Sequence, residues 1–276
     1  MHVMKLLPAL TCFIIVLFIV HLSEAQEVFT PASRSQSLAG ASATLEDSWS
    51  VFGNQAGLAG IQRPVMGGTF QNRFLVKELS TSAGLFILPV QSSVFALSLY
   101  QFGKTAFRQE KLGIAYARSL NPRLQVGMQF NYYRYFMAEE NKTVGTYGIE
   151  LGCQYHLKKK TILGFHVLNP YKTAIKTYSG EYNYPVRYTL GSWFQLSNSF
   201  GFVTELEKQW SFPLIVKTGF EYNILDKLML RTGFSAKPYQ LTAGMGFEVK
   251  HLKIDLAVAY NQYLGNSPSA SFQYQF

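Results

Sequence analysis

The chain has 276 residues, of which 48% are hydrophobic, 15% aromatic and only 15% charged, and its formal net charge at pH 7 is +9. Globular chains usually carry about 25% charged residues, and this mixture excludes a disordered chain, a coiled coil and a disulfide scaffold. A mean hydropathy of +0.04 is too low for a helical membrane bundle and suits a β protein whose apolar residues alternate with polar ones.

Residues 1–25 read as a secretory signal. Lys5 supplies the positive start, residues 6–22 form an apolar run, and Ser23-Glu24-Ala25 places small residues at both critical positions of a cleavage site. Cleavage after Ala25 is expected. The alternative is a retained membrane anchor, since the apolar run of 17 residues borders on the length of a span. Cys153 is then the one cysteine of the mature chain, so no intramolecular disulfide can form. The basic balance does not point to nucleic acid: the chain is exported and lacks a clustered basic helix. Its one tight run, Lys158-Lys159-Lys160, reads as a solvated turn.

Residues 26–60 do not alternate. Ala39-Gly40-Ala41-Ser42-Ala43 is rich in small residues, a short helix is expected around Ala41–Val51, and an irregular glycine-rich stretch follows at 53–60. The segment is too short to be a domain and is expected to fill a barrel lumen as a plug.

From residue 61 to the end the period is two. Leu252, Ile254, Leu256, Val258 and Tyr260 oppose Lys253, Asp255, Ala257 and Ala259, and Leu124 to Tyr132 alternate in the same way. A helix cannot keep this period. About fourteen such segments start near Arg63, Leu79, Ser93, Phe107, Arg123, Val144, Thr161, Val186, Phe200, Leu214, Leu228, Tyr239, Leu252 and Ser269. Most have the ~9–12 residues of a tilted strand crossing a membrane.

Connections after even-numbered segments are tight, as at Asn121-Pro122 and Asp226-Lys227. The longer ones, 138–143, 169–185 and 208–213, follow odd-numbered segments. Outer-membrane barrels have short periplasmic turns and longer external loops. The expectation is an all-β fold: a transmembrane antiparallel β-barrel of about 14 strands over 61–276, with an N-terminal lumenal plug segment and the amino end in the periplasm. The location is the outer membrane of a Gram-negative bacterium. SFQYQF ends the chain with a terminal aromatic, Phe276, which resembles the assembly signal of such barrels.

One face of the segments is apolar. The other carries Gly, Ser and Gln with Glu150, Arg187, Glu205, Glu207, Lys217, Glu221, Arg231, Glu248, Lys253 and Asp255. Ten charges in a dry core would be costly unless paired, so the charged face is assigned to the lumen. Glu221, Arg231 and Glu248 fall on three successive strands, which suits either an internal ion-pair network or an ion-selective gate.

No enzyme is expected. The mature chain has three histidines, His156, His166 and His251, and no H-x-x-x-H, G-x-S-x-G or Walker sequence. His166 has no acid near it in its own segment. No catalytic residue, cofactor or metal ligand is assigned. The tyrosine-rich strand ends, Tyr132, Tyr133, Tyr135 and Tyr188 with those of loop 169–185, suit binding of sugars or hydrophobes, and an aromatic girdle explains part of them with no ligand. Loop 169–185, with Tyr171, Tyr178, Tyr182 and Tyr184, carries more aromatics than a girdle needs and is the expected external contact site.

The segment Ser33-Arg34-Ser35, Leu38-Ala39-Gly40-Ala41, Glu46-Asp47-Ser48 and Val51-Phe52-Gly53-Asn54-Gln55-Ala56-Gly57-Leu58-Ala59 resembles the plug region of FadL-like outer-membrane barrels, especially the PorV/PorQ branch. Asn54, Ala56, Leu58 and Ala59 match the family pattern N-P-A-x-L-A, while Gln55 replaces its proline. The resemblance implies a non-enzymatic barrel with one of two roles. The first is an accessory, carrier or anchor barrel of type IX protein secretion, whose partners would be secretion components or exported proteins. The alternative is a passive transporter of hydrophobic small molecules. The short external loops lean toward the first.

Overall fold

The computed structural model describes residues 31–138, 142–158, 160–171, 173–177, 180–184, 186–209 and 212–276, with only the backbone described across 173–184. The expected signal and residues 26–30 lie outside the described residues.

The alternating segments form fourteen antiparallel strands closed into one barrel. In chain order they are β1 (Val65–Asn72), β2 (Ser80–Val90), β3 (Ser93–Gly103), β4 (Phe107–Asn121), β5 (Leu124–Met137), β6 (Lys142–Lys158) and β7 (Thr161–Leu168). After a short separate ribbon, β8 (Thr173–Thr177) with β9 (Gly180–Tyr184), come β10 (Arg187–Gln195), β11 (Phe200–Gln209) and β12 (Ile215–Leu225). The last four are β13 (Leu228–Ala236), β14 (Gln240–Val249), β15 (Leu252–Asn261) and β16 (Gly265–Gln275). The first and last strands pair from Val65 with Gln275 to Gln71 with Ser269, which leaves the sheet no free edge.

Thirteen of these starts agree with the alternation to within two residues; β16 begins at Gly265 rather than near Ser269. Gly265-Asn266-Ser267-Pro268 contains no large apolar side chain, so nothing in it displays the period.

The two faces are chemically opposite. On β15 the alternating Leu252, Ile254, Leu256, Val258 and Tyr260 are exposed, while Asp255, Ala257 and Ala259 between them are buried. Large apolar side chains are exposed on the same outer face of every strand of the barrel. In water such a surface would aggregate; in a bilayer, where the closed sheet satisfies the backbone internally, it is the stable arrangement. The chain is therefore a transmembrane barrel of the outer-membrane type. Tyr133 and Tyr135 depart from the girdle expectation: both point inward and are buried, because they share parity with Gln129 and Asn131 rather than with Phe130 and Tyr132.

The connections sort by rim. Residues 91–92, 226–227 and 250–251 make tight turns, and Gln91 and Lys250 adopt φ of 53° and 54°, the left-handed backbone such turns require. The β8–β9 ribbon and the turns over 73–79 occupy the opposite rim, which the loop-length rule makes external.

Residues 31–62 run inside the ring. A five-residue helix, α1 (Ser33–Ser37), opens the segment, and two 3-10 turns follow, Ser48–Phe52 and Gln55–Leu58. The helix expected at Ala41–Val51 is not there. Asp47 accepts the Trp49 N–H at 2.9 Å, and Ser50 Oγ donates to Leu45 O at 2.8 Å. Short polar side chains thus take the backbone groups that a continuous helix would need.

Candidate functional site: the filled lumen

The internal segment is held by inward-facing polar side chains from around the ring. Asn54 is fully buried. Its Nδ2 donates to Ala43 O at 2.7 Å and to Cys153 O of β6 at 3.0 Å, while its Oδ1 accepts from Ala56 N at 3.2 Å. Inward glycines make room for this approach: a Cβ on Gly152 would overlap Asn54 Oδ1, and one on Gly127 would overlap the backbone of Gln55. The other motif positions, Gln55, Ala56, Gly57 and Leu58, are also buried.

Gln55 Nε2 donates to Glu150 Oε2 at 2.9 Å. Glu150 is a hub. Asn131 Nδ2 reaches it at 2.8 Å, Lys111 Nζ at 3.2 Å and His166 Nε2 at 3.1 Å. The acid that His166 lacked in its own segment comes from the neighbouring strand β6. His156 likewise meets Glu46 of the internal segment at 3.1 Å.

Two further networks lie on the other side. Glu205 Oε2 accepts the backbone N–H groups of Ser42 and Ala43, each at 2.8 Å. Lys217 Nζ joins Glu205 at 3.0 Å and Glu207 at 2.7 Å, and donates to Gly40 O at 3.2 Å. Arg187 reaches Glu207 at 3.5 Å. In the second network Arg34 of α1 pairs with Asp47 at 2.8 Å and with Glu221 at 3.0 Å. Arg231 pairs with Glu221 at 2.5 Å and with Asp255 at 2.6 Å. Burial opposes the charge on Arg34, but Glu221 and Asp47 outweigh it and hold its pKa above the ordinary value. A buried charge left without its partner is strongly destabilising, so these chains of alternating sign fasten the internal segment to the wall.

Of the three residues expected to form a lumenal charge cluster, Glu221 and Arg231 meet and Glu248 does not. Glu248 is exposed at the end of β14, in register with Lys253. It lies four residues from Gly244, the register partner of Arg231, or ~13 Å at the strand rise. The nearer acid is Asp255: Gly246 leaves open space that Arg231 crosses to reach it.

The lumen is not polar throughout. On β1–β4 the inward side chains include Val65, Leu85, Ile87, Val94, Ala96 and Ala117, and they pack against Trp49, Val51, Phe52 and Leu58 of the internal segment. An apolar seam therefore runs along the inside of one part of the wall, covered by a segment fixed mainly through polar contacts elsewhere.

Of the external contact residues, Tyr171 is 72% exposed. Tyr178 lies outside the described residues, and only the backbone of Tyr182 and Tyr184 is described. Among the described residues no group of three or more His, Cys, Asp or Glu could hold a metal ion.

No protein-family model matches the chain, and no curated protein matches it in sequence. Solved structures do match. The CymD monoaromatic hydrocarbon channel is 14% identical with a TM-score of 0.72, covering 92% of this chain and 99% of its own. The Ralstonia pickettii toluene transporter TbuX is 13% identical with a TM-score of 0.66, covering 90% and 98%. A Pseudomonas aeruginosa FadL homologue is 13% identical with a TM-score of 0.71, again covering 90% and 98%. At such identities the likeness establishes a shared fold. Nothing in it bears on a PorV/PorQ branch or on type IX secretion.

Proposed function

We propose that the protein is a passive transporter of hydrophobic small molecules across the outer membrane, with residues 31–62 as its movable plug. The observation that carries this reading is the apolar seam. Polar networks fasten the plug to the rest of the inner face, while along this stripe it rests on apolar contact. Moving Trp49 and Phe52 aside would bare Leu85, Ile87 and Val94 as a path that excludes water. The barrels of similar fold that are channels or transporters for toluene and other monoaromatic hydrocarbons support the same assignment.

On this reading the pairs Arg34–Glu221 and Glu221–Arg231 form the latch of the plug, and Asn54, Gln55, Ala56, Gly57 and Leu58 form its anchor. Tyr171, Tyr178, Tyr182 and Tyr184 are assigned to first contact with incoming molecules at the external rim. The competing reading, an accessory barrel of type IX secretion, draws on the likeness of residues 33–59 and on the short external loops. The test is the initial rate of toluene uptake by cells carrying the protein against cells without it, at equal outer-membrane integrity. A several-fold higher rate supports transport; equal rates refute it.

A further inference from the structure

The outer wall of β2–β5 departs from the apolar pattern. Ser82 is in register with Gln101, Gln101 with Glu110, and Glu110 with Arg134, so one row across four strands is polar. Two residues nearer the periplasmic rim, Gly84, Leu99, Leu112 and Tyr132 make the next row, and it is apolar. The step between rows is ~7 Å at the strand rise. Together the rows line a groove of about 560 Å³. Its floor is bare backbone at Gly84, where a Cβ would meet nothing closer than Gly67 O at 3.8 Å.

Above the groove two arginines share one carboxylate. Arg134 Nε donates to Glu110 Oε2 at 2.5 Å, and Arg108 Nε lies 3.0 Å from Glu110 Oε1 without the alignment of a hydrogen bond. The set carries one net positive charge. The Arg134 and Arg108 side chains remain 49% and 39% exposed. Each guanidinium has five N–H donors, most of them left over, in the fork geometry that matches phosphate. A cationic pair standing one row above an apolar trough is complementary to an amphiphile with an anionic head and acyl tails. The groove lies toward the rim that carries the β8–β9 ribbon, which places it at the outer leaflet.

We infer that this groove is a binding site for the phosphorylated glycolipid of the outer leaflet, lipid A. Its phosphate meets Arg108 and Arg134, and one acyl chain runs along the apolar row past Leu112 and Leu99 to lie over Gly84. Glu110 holds the two guanidinium groups in place and limits their mutual repulsion. The site is on the lipid side of the wall and is independent of the transport reading.

The test uses the full chain in phosphatidylcholine nanodiscs, with binding of bisphosphorylated lipid A followed by native mass spectrometry. The double variant R108Q/R134Q is expected to bind about tenfold or more weakly, the loss of one to two charge-assisted hydrogen bonds. The control K208Q, on the outer face of β11 at the same rim, is expected to bind as the parent does. Heat-modifiable gel mobility checks that each variant is assembled. If the double variant does not assemble, G84L, which fills the trough without touching a charge, is expected to give a comparable loss. Unchanged binding in the assembled R108Q/R134Q variant, or in G84L, overturns the assignment. So does equal binding of dephosphorylated lipid A, and so does equal binding of phosphatidylglycerol, which would make the site one for any anionic lipid.

Discussion

Arg34 and Glu221, 187 positions apart, meet in a two-bond fork: Nε to Oε2 and Nη2 to Oε1, each 3.0 Å. One residue belongs to the internal helix and the other to the barrel wall. The pair therefore joins the two parts of the molecule through charge rather than through apolar packing.

The network holds three carboxylates, Asp47, Glu221 and Asp255, against two guanidinium groups, Arg34 and Arg231. E221Q leaves Asp47 to Arg34 and Asp255 to Arg231 and is expected to destabilise the barrel by about 1–3 kcal/mol. R34Q leaves Asp47 without its ion pair and three carboxylates to one arginine, and is expected to cost about 3–5 kcal/mol. Urea unfolding in detergent micelles, followed by heat-modifiable mobility, measures both. A larger loss for E221Q would mean that Asp47 and Asp255 do not hold the two arginines once Glu221 is gone.

The glycines that face the plug give a variant of opposite kind. G152L places a side chain where Asn54 sits, so the internal segment is expected to leave its seat while the strand ladder, which loses no hydrogen bond, still assembles. Limited proteolysis from the periplasmic side should then cleave within 31–62 in G152L and spare the parent. Protection in both would show that the wall, not the plug, gives way.

The barrel was legible because its signal is local: each strand displays its own period of two, and the loop lengths sort the rims. The lumen was legible only by face. The alternation on β6, β12 and β13 assigns Glu150, Glu221 and Arg231 to the inside, but nothing local tells which of them meet. Glu248 illustrates the limit. It has the right parity, yet it sits at the strand end, and Arg231 turns to Asp255 instead. Contacts such as Glu205 with the N–H groups of Ser42 and Ala43 depend on how a non-repeating segment folds inside the ring, and no periodicity encodes that. The polar row on the outer wall was hidden for a similar reason. Glu110 and Arg134 are 24 residues apart and become neighbours only through the register of β4 and β5.

Ion flow separates a filled lumen from an open one. The intact protein is expected to show little conductance in planar bilayers, because residues 31–62 occupy the lumen. Deleting residues 31–60 is expected to raise it at least tenfold. A large steady conductance from the intact chain would indicate an open pore.

The most direct measurement of the central claim is toluene uptake by proteoliposomes in which the plug can be locked. The Cβ of Ala43 lies 3.1 Å from the Cβ position of Gly191 on β10, close to the separation of about 3.5–4.5 Å in a disulfide. Ala43→Cys with Gly191→Cys, in a chain where Cys153 is replaced by serine, would tie the plug to the wall when oxidised and free it when reduced. The account predicts slow uptake in the oxidised form and a several-fold rise on reduction, with no change for the Cys153→Ser chain alone. Equal uptake before and after reduction would contradict it.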